Sequence, residues 1–320
     1  MENNFDTQYF NLLKDILQNG EKKDTRSGEV LSVFGRTIRI DLQKGFPLLT
    51  TKRVFYRGVI EELLWFLRGE SNINYLVDKD VHIWDKDAYR YYKKLKDENR
   101  SSEYPTHTDT FEEFIHNVKK KKSIFFDDGT VYKYGSLGRM YPSLWRNYGR
   151  RHIDQIKNII KELKNNPTSR RIILTCYEPE TADHAALYPC HILYEFNVSK
   201  NKQGRNTLNC VLNCRSTDCP LGLPFNIASA AFLIHMLAQV TDMEVGELLY
   251  VGCDCHIYTN QIDSVTEQLQ RDPCKFKLPV LELNKHITDI DDFKYEDFKI
   301  LNYESYPSIK APLSVGDNIK

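Results

Sequence analysis

The stretch "PFNIASAAFLIHMLAQVTD", residues 224–242, constrains this chain more than any other. Almost every letter is apolar, so a helix formed from it has no face to spare for water and must be enclosed on most sides. The run from Ile227 to Val240 is interrupted by His235 and Gln239 and is shorter than a bilayer span. The enclosure is therefore expected inside the protein. A chain of 320 residues is long enough to build it, as one large domain or two modest ones.

The flanking text supplies strands and further helices. "VLSVFGRTIRIDLQ" alternates apolar and polar residues on both sides of Gly35–Arg36, which predicts a hairpin turning there. "VIEELLWFLRGE" has helical spacing with a stop at Gly69. "IDQIKNIIKELKNNP" predicts an amphipathic helix with Ile153, Ile156, Ile159, Ile160 and Leu163 on one face, ended by Pro167. "RIILTCYEP", "HILYEFNV", "TLNCVLNC" and "ELLYVGCDCHIY" read as strands, the second and third joined across "SKNKQGRN". Strands and helices do not alternate as a doubly wound fold requires, so the expected class is α+β, a mixed sheet with helices packed on it. With no repeat and no Pro/Gly/Ser-rich linker, residues 1–320 are expected to form a single domain. From Asp85 to about Gly135 the text is charged and lacks a sustained apolar stripe, which predicts a peripheral insertion at about 85–135. Lys119 to Lys122 reads as a solvated helix end.

Charge and cysteine content narrow the function. Lys plus Arg and Asp plus Glu are equal at 44 each, so no net field draws the chain to nucleic acid or to an anionic membrane, and any bound anion needs a local cluster of cations. "MENNFDTQYF" carries acids and amides where a signal peptide has basic and then apolar residues, so the expected location is cytoplasmic. Eight cysteines spread over the chain suit free thiols in a reducing compartment. Cys210, Cys214, Cys219, Cys253 and Cys255, with His256, show no C-x-x-C pair, so no metal is expected and they read as small apolar residues in strands.

In "AALYPCHILYEFNV" Cys190 and His191 are adjacent. At the start of a strand they point to opposite faces, so His191 cannot be the direct base for Cys190. A thiolate is instead stabilised by cations. "TSRRII" supplies Arg170 and Arg171, and "NCRSTD" supplies Arg215 and Ser216, each beside an apolar strand. That combination favours a phosphate-bearing substrate next to a thiol nucleophile.

These segments, in order, resemble the thymidylate synthase family: "FGRTIRIDLQKGFPLLTTKR", "IEELLWFLRGESNINYL", "VHIWD", "LGRMYPSLWRNY", "NPTSRRIIL", "YPCHILYEF", "RSTDCPLGLPFNIASAAFLIHMLAQ", "GCDCHIYTNQ" and "YPSIKAPLSV". The resemblance implies reductive methylation of dUMP to dTMP, with 5,10-methylenetetrahydrofolate as one-carbon and hydride donor. It also implies a homodimer with packed sheet faces. Cys190 matches the nucleophile, Arg215 and Ser216 phosphate ligands, and Arg170 and Arg171 the pair donated to the partner's phosphate. Asn226 matches the ligand of the pyrimidine edge, for which an amide has both donor and acceptor. By its position alone Asn226 could equally be a helix N-cap. His256 and Tyr258 match ligands of the sugar 3′-hydroxyl, and Glu62 the acid/base glutamate, its neighbour Glu61 being expected to face solvent. Tyr141 matches a residue of proton removal at C5, and His191 a polar support. Trp84, Asp218, Gly222 and Phe225 match the folate side, Asp218 also bordering the nucleotide.

Several positions depart from the family's pattern. Asp87 stands where a second tryptophan is usual, Pro142 where glycine is common, and Glu195 where glutamine is frequent. Arg26, still assigned to phosphate, lies one place late, and Gly316 to Lys320 extend past the family's usual end. A polar Asp87 near the folate raises the alternative of a hydroxymethylase, in which water replaces hydride at the last step.

Overall fold

A computed structural model describes residues 4–98, 109–125, 129 and 131–312; the Gly316–Lys320 extension lies outside them. Helix α1 (Asn4–Asn19) leads into β1 (Glu21–Thr25) and β2 (Gly28–Asp41). There follow α2 (Tyr56–Arg68), α3 (Asn74–Asp78), α4 (Asp85–Glu98) and α5 (Phe111–Lys119). A short hairpin, β3 (Ser123–Phe125) with β4 (Val131–Lys133), precedes α6 (Tyr141–Arg146) and α7 (Gln155–Asn165). Then come β5 (Ile173–Thr175), β6 (His191–Lys200), β7 (Asn206–Asp218), α8 (Gly222–Val240) and β8 (Glu244–Tyr258). Helix α9 (Ile262–Leu269) and the pair β9 (Val280–Leu283) and β10 (Phe298–Leu301) complete the order. The chain divides into two compact units: Met1–Leu63, Gln155–Thr175 and Cys190–Lys320 form the first, Leu64–Asp154 and Cys176–Pro189 the second.

The first unit is built on a sheet which, among the described residues, has six strands in the order β1-β2-β8-β7-β6-β5. All neighbours are antiparallel except β7 and β8, which run parallel because α8 crosses over between them. This is the mixed α+β arrangement expected from the sequence. Helix α8 is long and apolar enough to cross a bilayer, yet Leu223, Ile227, Phe232, Leu233, Met236 and Leu237 are wholly buried within the protein. It lies against β7 and β8, and α1 packs on β2 with Phe5, Tyr9, Leu13 and Ile16 turned inward. Truncating a side chain such as Phe232 would cost about 3–5 kcal/mol. Asp6 on α1 is buried as well. Its carboxylate accepts the N–H and hydroxyl groups of Thr50 and Thr51, which makes its burial tolerable and ties down the loop leading to Lys52.

Two local readings are corrected. No hairpin turns at Gly35: β2 runs on through it, paired with β8 from Val30↔Tyr258 to Asp41↔Glu247. Gly35 adopts φ 67°, a local kink that a long partner strand overrides. The turn falls earlier, at Arg26–Ser27, between Thr25 and Gly28. Ile153 lies before α7 and is exposed, paired with Tyr148, while Ile156, Ile159 and Leu163 form the buried face.

The second unit hides a core that its charged text conceals. The 85–135 segment buries Tyr89, Tyr92, Phe114, Tyr132 and Tyr134. Tyr92 stands 5.3 Å from Phe114 and 5.4 Å from Tyr134 between ring centroids. The stripe is aromatic, and tyrosine carries a hydroxyl, which is why a reading for aliphatic periodicity misses it. Those hydroxyls find partners: Tyr134 donates to Asp109 Oδ2 at 2.6 Å and Tyr89 to the Asp109 carbonyl at 2.7 Å. Lys119 to Lys122 are exposed at the end of α5, as expected.

Candidate active site

The topology gathers most of the predicted residues at one end of the sheet. Because β6 runs antiparallel to β7, the start of β6 meets the end of β7, and the Arg215 N–H donates to the Cys190 carbonyl at 2.9 Å. Because β7 and β8 are parallel, their ends coincide: Ser216 pairs with Asp254 and Asp218 with His256. The β1–β2 turn arrives at the same end through Val30↔Tyr258. The inward face also changes phase here, from Leu212 and Cys214 to Thr217 on β7 and from Leu248 and Tyr250 to Cys255 and Ile257 on β8. Arg215, Ser216 and Asp218 are left half-buried at the break.

Cys190 is half-buried and takes part in no disulfide. Its neighbour His191 is buried, with Nδ1 3.2 Å from the Tyr194 hydroxyl. Burial pushes the imidazole down to about 3, so it stays neutral at ordinary pH. Tyr258 reports what surrounds the thiol. Burial raises its phenol, the charges of Asp218 and Cys190 raise it further, and Ser27 and Arg26 pull it back. Arg26, exposed in the β1–β2 turn, is therefore within electrostatic reach of the Tyr258 hydroxyl.

His256 is fixed by a partner that sequence reasoning missed. Asp254 Oδ1 lies 2.8 Å from its Nδ1, and Asp254 Oδ2 accepts the Ser32 hydroxyl at 2.9 Å. The His256 bond holds the Asp254 carboxyl below its ordinary range. Nδ1–H directed at Asp254 leaves Nε2 as the free ring nitrogen. Alternation along the strand was the available signal, since Asp254, His256 and Tyr258 recur every second residue.

Asp218 is raised by burial, an effect offset by the Leu221 N–H, the Gln261 amide and the charges of His256 and Lys52. Lys52, also unassigned from sequence, is itself lowered to about 8 by burial and donates to the Pro220 carbonyl. Asp218 Oδ1 accepts the Leu221 N–H at 3.0 Å, just before α8 starts at Gly222. Asn226 thus lies inside α8 and is not its N-cap. It is half-buried, as is Phe225. A Cβ built on Gly222 would stand in ordinary contact with Asp218 Cβ, at 3.7 Å, so the two residues are neighbours.

Glu62 is half-buried on α2, whereas Glu61 is only 2% exposed, the reverse of its expected solvent-facing position. At helical spacing adjacent residues differ by about 100° in facing, too little to assign one glutamate to water from sequence. Arg170 and Arg171 do not join the cluster within this chain. Both are exposed, before β5, where the Ile172 carbonyl accepts the Phe196 N–H well up β6 from Cys190.

Tyr141 and Trp84 belong to the second unit, both buried, with ring centroids 6.3 Å apart, and Tyr141 stands 5.0 Å from Phe66. Pro142 falls in the first turn of α6, where a missing N–H costs nothing. Asp87 is paired with Arg90 at 2.6 Å, and Arg90 also donates to the Ala186 carbonyl. Glu195 accepts from Asn213 at 3.1 Å. Among the described residues no group of three or more His, Cys, Asp or Glu side chains is placed to hold a metal ion.

A thiol joined through the backbone to an arginine-bearing strand end, on a mixed α+β sheet, has the residue types that nucleophilic attack on an anionic substrate requires. Comparison with known proteins makes it specific. The family model described as thymidylate synthase matches residues 7–315. A thymidylate synthase of Mycoplasma mobile is 45% identical over 309 residues, covering 96% of this chain and 99% of the relative. One of Malacoplasma penetrans is 43% identical with the same coverage. The chain belongs to the thymidylate synthase family. It is a methyltransferase that makes dTMP from dUMP, and the hydroxymethylase alternative is not favoured.

Proposed function

We propose that this chain uses 5,10-methylenetetrahydrofolate as its co-substrate, as its family does, and that the sheet-end cluster is where dUMP is bound and attacked. The observation that carries this reading is the 2.9 Å bond from the Arg215 N–H to the Cys190 carbonyl, which fixes a guanidinium-bearing residue beside the nucleophile. The folate supplies a one-carbon unit and then a hydride. On its side the half-buried Asp218 carboxylate supplies acceptor oxygens for ring N–H groups, and Gly222, which has no side chain, lets such a ring approach the backbone closely.

The chemistry follows from uracil, whose C5 is a weak nucleophile. Cys190 adds to C6, which makes C5 enolate-like and able to take the one-carbon unit. Arg215, Ser216 and Arg26 hold the phosphate, and Arg215 favours the thiolate. Asn226 pairs with N3–H and O4 of the base, and His256 and Tyr258 take the 3′-hydroxyl. Glu62 organises water and protons, and Tyr141 takes part in removing the C5 proton. With the C5 proton gone the bond from the one-carbon unit to the folate nitrogen would break, leaving an exocyclic methylene on a ring still joined to Cys190; once hydride reduces that methylene, Cys190 leaves C6 and the ring double bond re-forms. His191, neutral because it is buried, supports this network without serving as the base for Cys190. Asp87 is neutralised by Arg90, so it is a poor carrier of water to that methylene.

The chain acts as a cytoplasmic homodimer in this reading, Arg170 and Arg171 reaching the partner's phosphate. Supporting it, one row of the sheet's uncovered face runs Ile173, Glu195, Val211, Leu249, Arg39, with Ile173 45% exposed, and Phe34 nearby on β2 is 80% exposed. Purified protein given dUMP and methylenetetrahydrofolate should yield dTMP by chromatography and dihydrofolate by absorbance. Hydroxymethyl-dUMP with tetrahydrofolate would overturn the hydride step.

A further inference from the structure

Gln261 is wholly buried, 0% exposed, at the turn that follows β8, and its whole amide is engaged. Nε2 donates to Asp218 Oδ2 and to the Pro312 carbonyl, at 3.1 Å in each case, and Oε1 accepts the Tyr258 N–H at 3.3 Å. One side chain therefore joins the end of β7, the end of β8 and the C-terminal segment. The same segment is fastened further back: the Tyr303 hydroxyl donates to the Leu49 carbonyl at 2.7 Å, the Tyr306 N–H to the Thr50 carbonyl at 2.8 Å, and Arg271 to the Pro307 carbonyl at 2.7 Å. Those contacts hold the segment to the body of the unit. The contact at Pro312 is the one that reaches Asp218.

The chemistry of the amide matters here. A carboxylate and a carbonyl are both acceptors, so the atom between them has to supply two N–H groups, while the Tyr258 N–H needs an acceptor. Gln supplies all three functions at one site. Ionised glutamate has no donor, and leucine has neither donor nor acceptor. We propose that Gln261 is a positioning residue for the folate half of the site: it orients the Asp218 carboxylate and draws the C-terminal segment against it at Pro312. The proposal rests on the reading of Asp218 as a folate-side residue. Gln261 touches neither substrate and acts only through Asp218, Tyr258 and Pro312.

The test uses the full-length chain with Gln261→Glu and Gln261→Leu. The wild-type enzyme is assayed first: if it makes no dTMP from methylenetetrahydrofolate, the underlying functional reading fails, independently of Gln261. With that established, the KM for methylenetetrahydrofolate should rise about tenfold or more in both variants, because a buried carboxylate loses a charge-assisted bond. In Q261E, which keeps the acceptor for Tyr258, the dissociation constant for dUMP should stay within about twofold of wild type. The Q261E defect should also ease between about pH 8 and about pH 6, because a protonated glutamic acid regains one donor, whereas that of Q261L should not. A folate KM within about twofold of wild type in folded Q261E, or a loss of dUMP affinity as large as the rise in folate KM, would overturn the proposal.

Discussion

The two units treat their buried polar atoms in opposite ways. In the second, tyrosine hydroxyls are closed off inside the protein: Tyr134 on Asp109, Tyr89 on the Asp109 carbonyl, Tyr91 on the His184 carbonyl. Burial raises the phenols of Tyr89, Tyr91 and Tyr134 further above the physiological range, so they act as neutral donors. At the sheet end of the first unit, Arg215, Ser216, Asp218 and Cys190 are left half-buried where β6, β7 and β8 converge. Polar atoms closed off in the interior rigidify a fold, whereas half-buried groups at a strand end keep a solvent-facing side that a ligand can reach. Substitutions in the first region should therefore be read in kinetics, and those in the second in stability.

The largest effect expected is at Cys190. Cys190→Ala should lower dTMP formation by at least about a thousandfold while dUMP binding stays measurable by calorimetry, since the covalent step is lost and the phosphate contacts remain. Turnover retained in that variant would remove the thiol from the chemistry. Phe114→Ala should cost about 3–5 kcal/mol in denaturant unfolding, because it opens a cavity among Tyr89, Tyr92 and Tyr134. A loss below about 1 kcal/mol would mean that the aromatic cluster is not a packed core.

Arg215→Ala should raise the KM for dUMP about a hundredfold with little change in melting temperature, which steady-state kinetics and calorimetry resolve. A large thermal loss without a KM change would reverse the contrast between the regions. pH adds a test within the first unit. His191 and His235 are pushed down from 6.5 to about 3 and about 4 by burial. The unfolded chain therefore binds protons below about pH 6.5 that the native chain refuses, so stability is full above that value and falls as the pH drops. The loss at pH 5 should be about 2 kcal/mol for each histidine, measured by urea unfolding across the range. A flat profile between pH 7 and pH 5 would contradict it. Smallest of all, Tyr134→Phe should cost about 1 kcal/mol, the net worth of its bond to Asp109.

The sheet strands β5 to β8 and the helices α2, α7 and α8 were legible in the sequence, while α1, α3 to α6, α9 and the short strands β3, β4, β9 and β10 were not read. Helix α8 announced itself because an all-apolar helix has one physical solution, and β6, β7 and β8 showed strand patterning over their length. Gly35–Arg36 looked like a turn because glycine permits one, but β8 pairs with β2 on both sides of it. Ile153 fitted the helical period of α7 and still fell outside it, because Tyr148 pairs with it. The core of the 85–135 segment escaped notice because tyrosines count as polar when aliphatic periodicity is sought. Individual site residues were legible mainly through family resemblance. From chemistry alone Cys190, Arg170, Arg171, Arg215 and Ser216 stood out, and within this chain Arg170 and Arg171 lie away from the others, whereas His256 and Tyr258 read as ordinary strand residues.

The linear chain by itself determined that α2, α7 and α8 had to be helix and β5 to β8 strand, and that one helix must be enclosed. These follow from local propensity and hydrophobic period, which act over a few residues. Only the tertiary structure decided that the ends of β6, β7 and β8 coincide, that Asp254 orients His256, and that Gln261 joins Asp218 to Pro312. Such pairings join positions far apart along the chain, and it is strand register, set by how the whole sheet packs, that selects them.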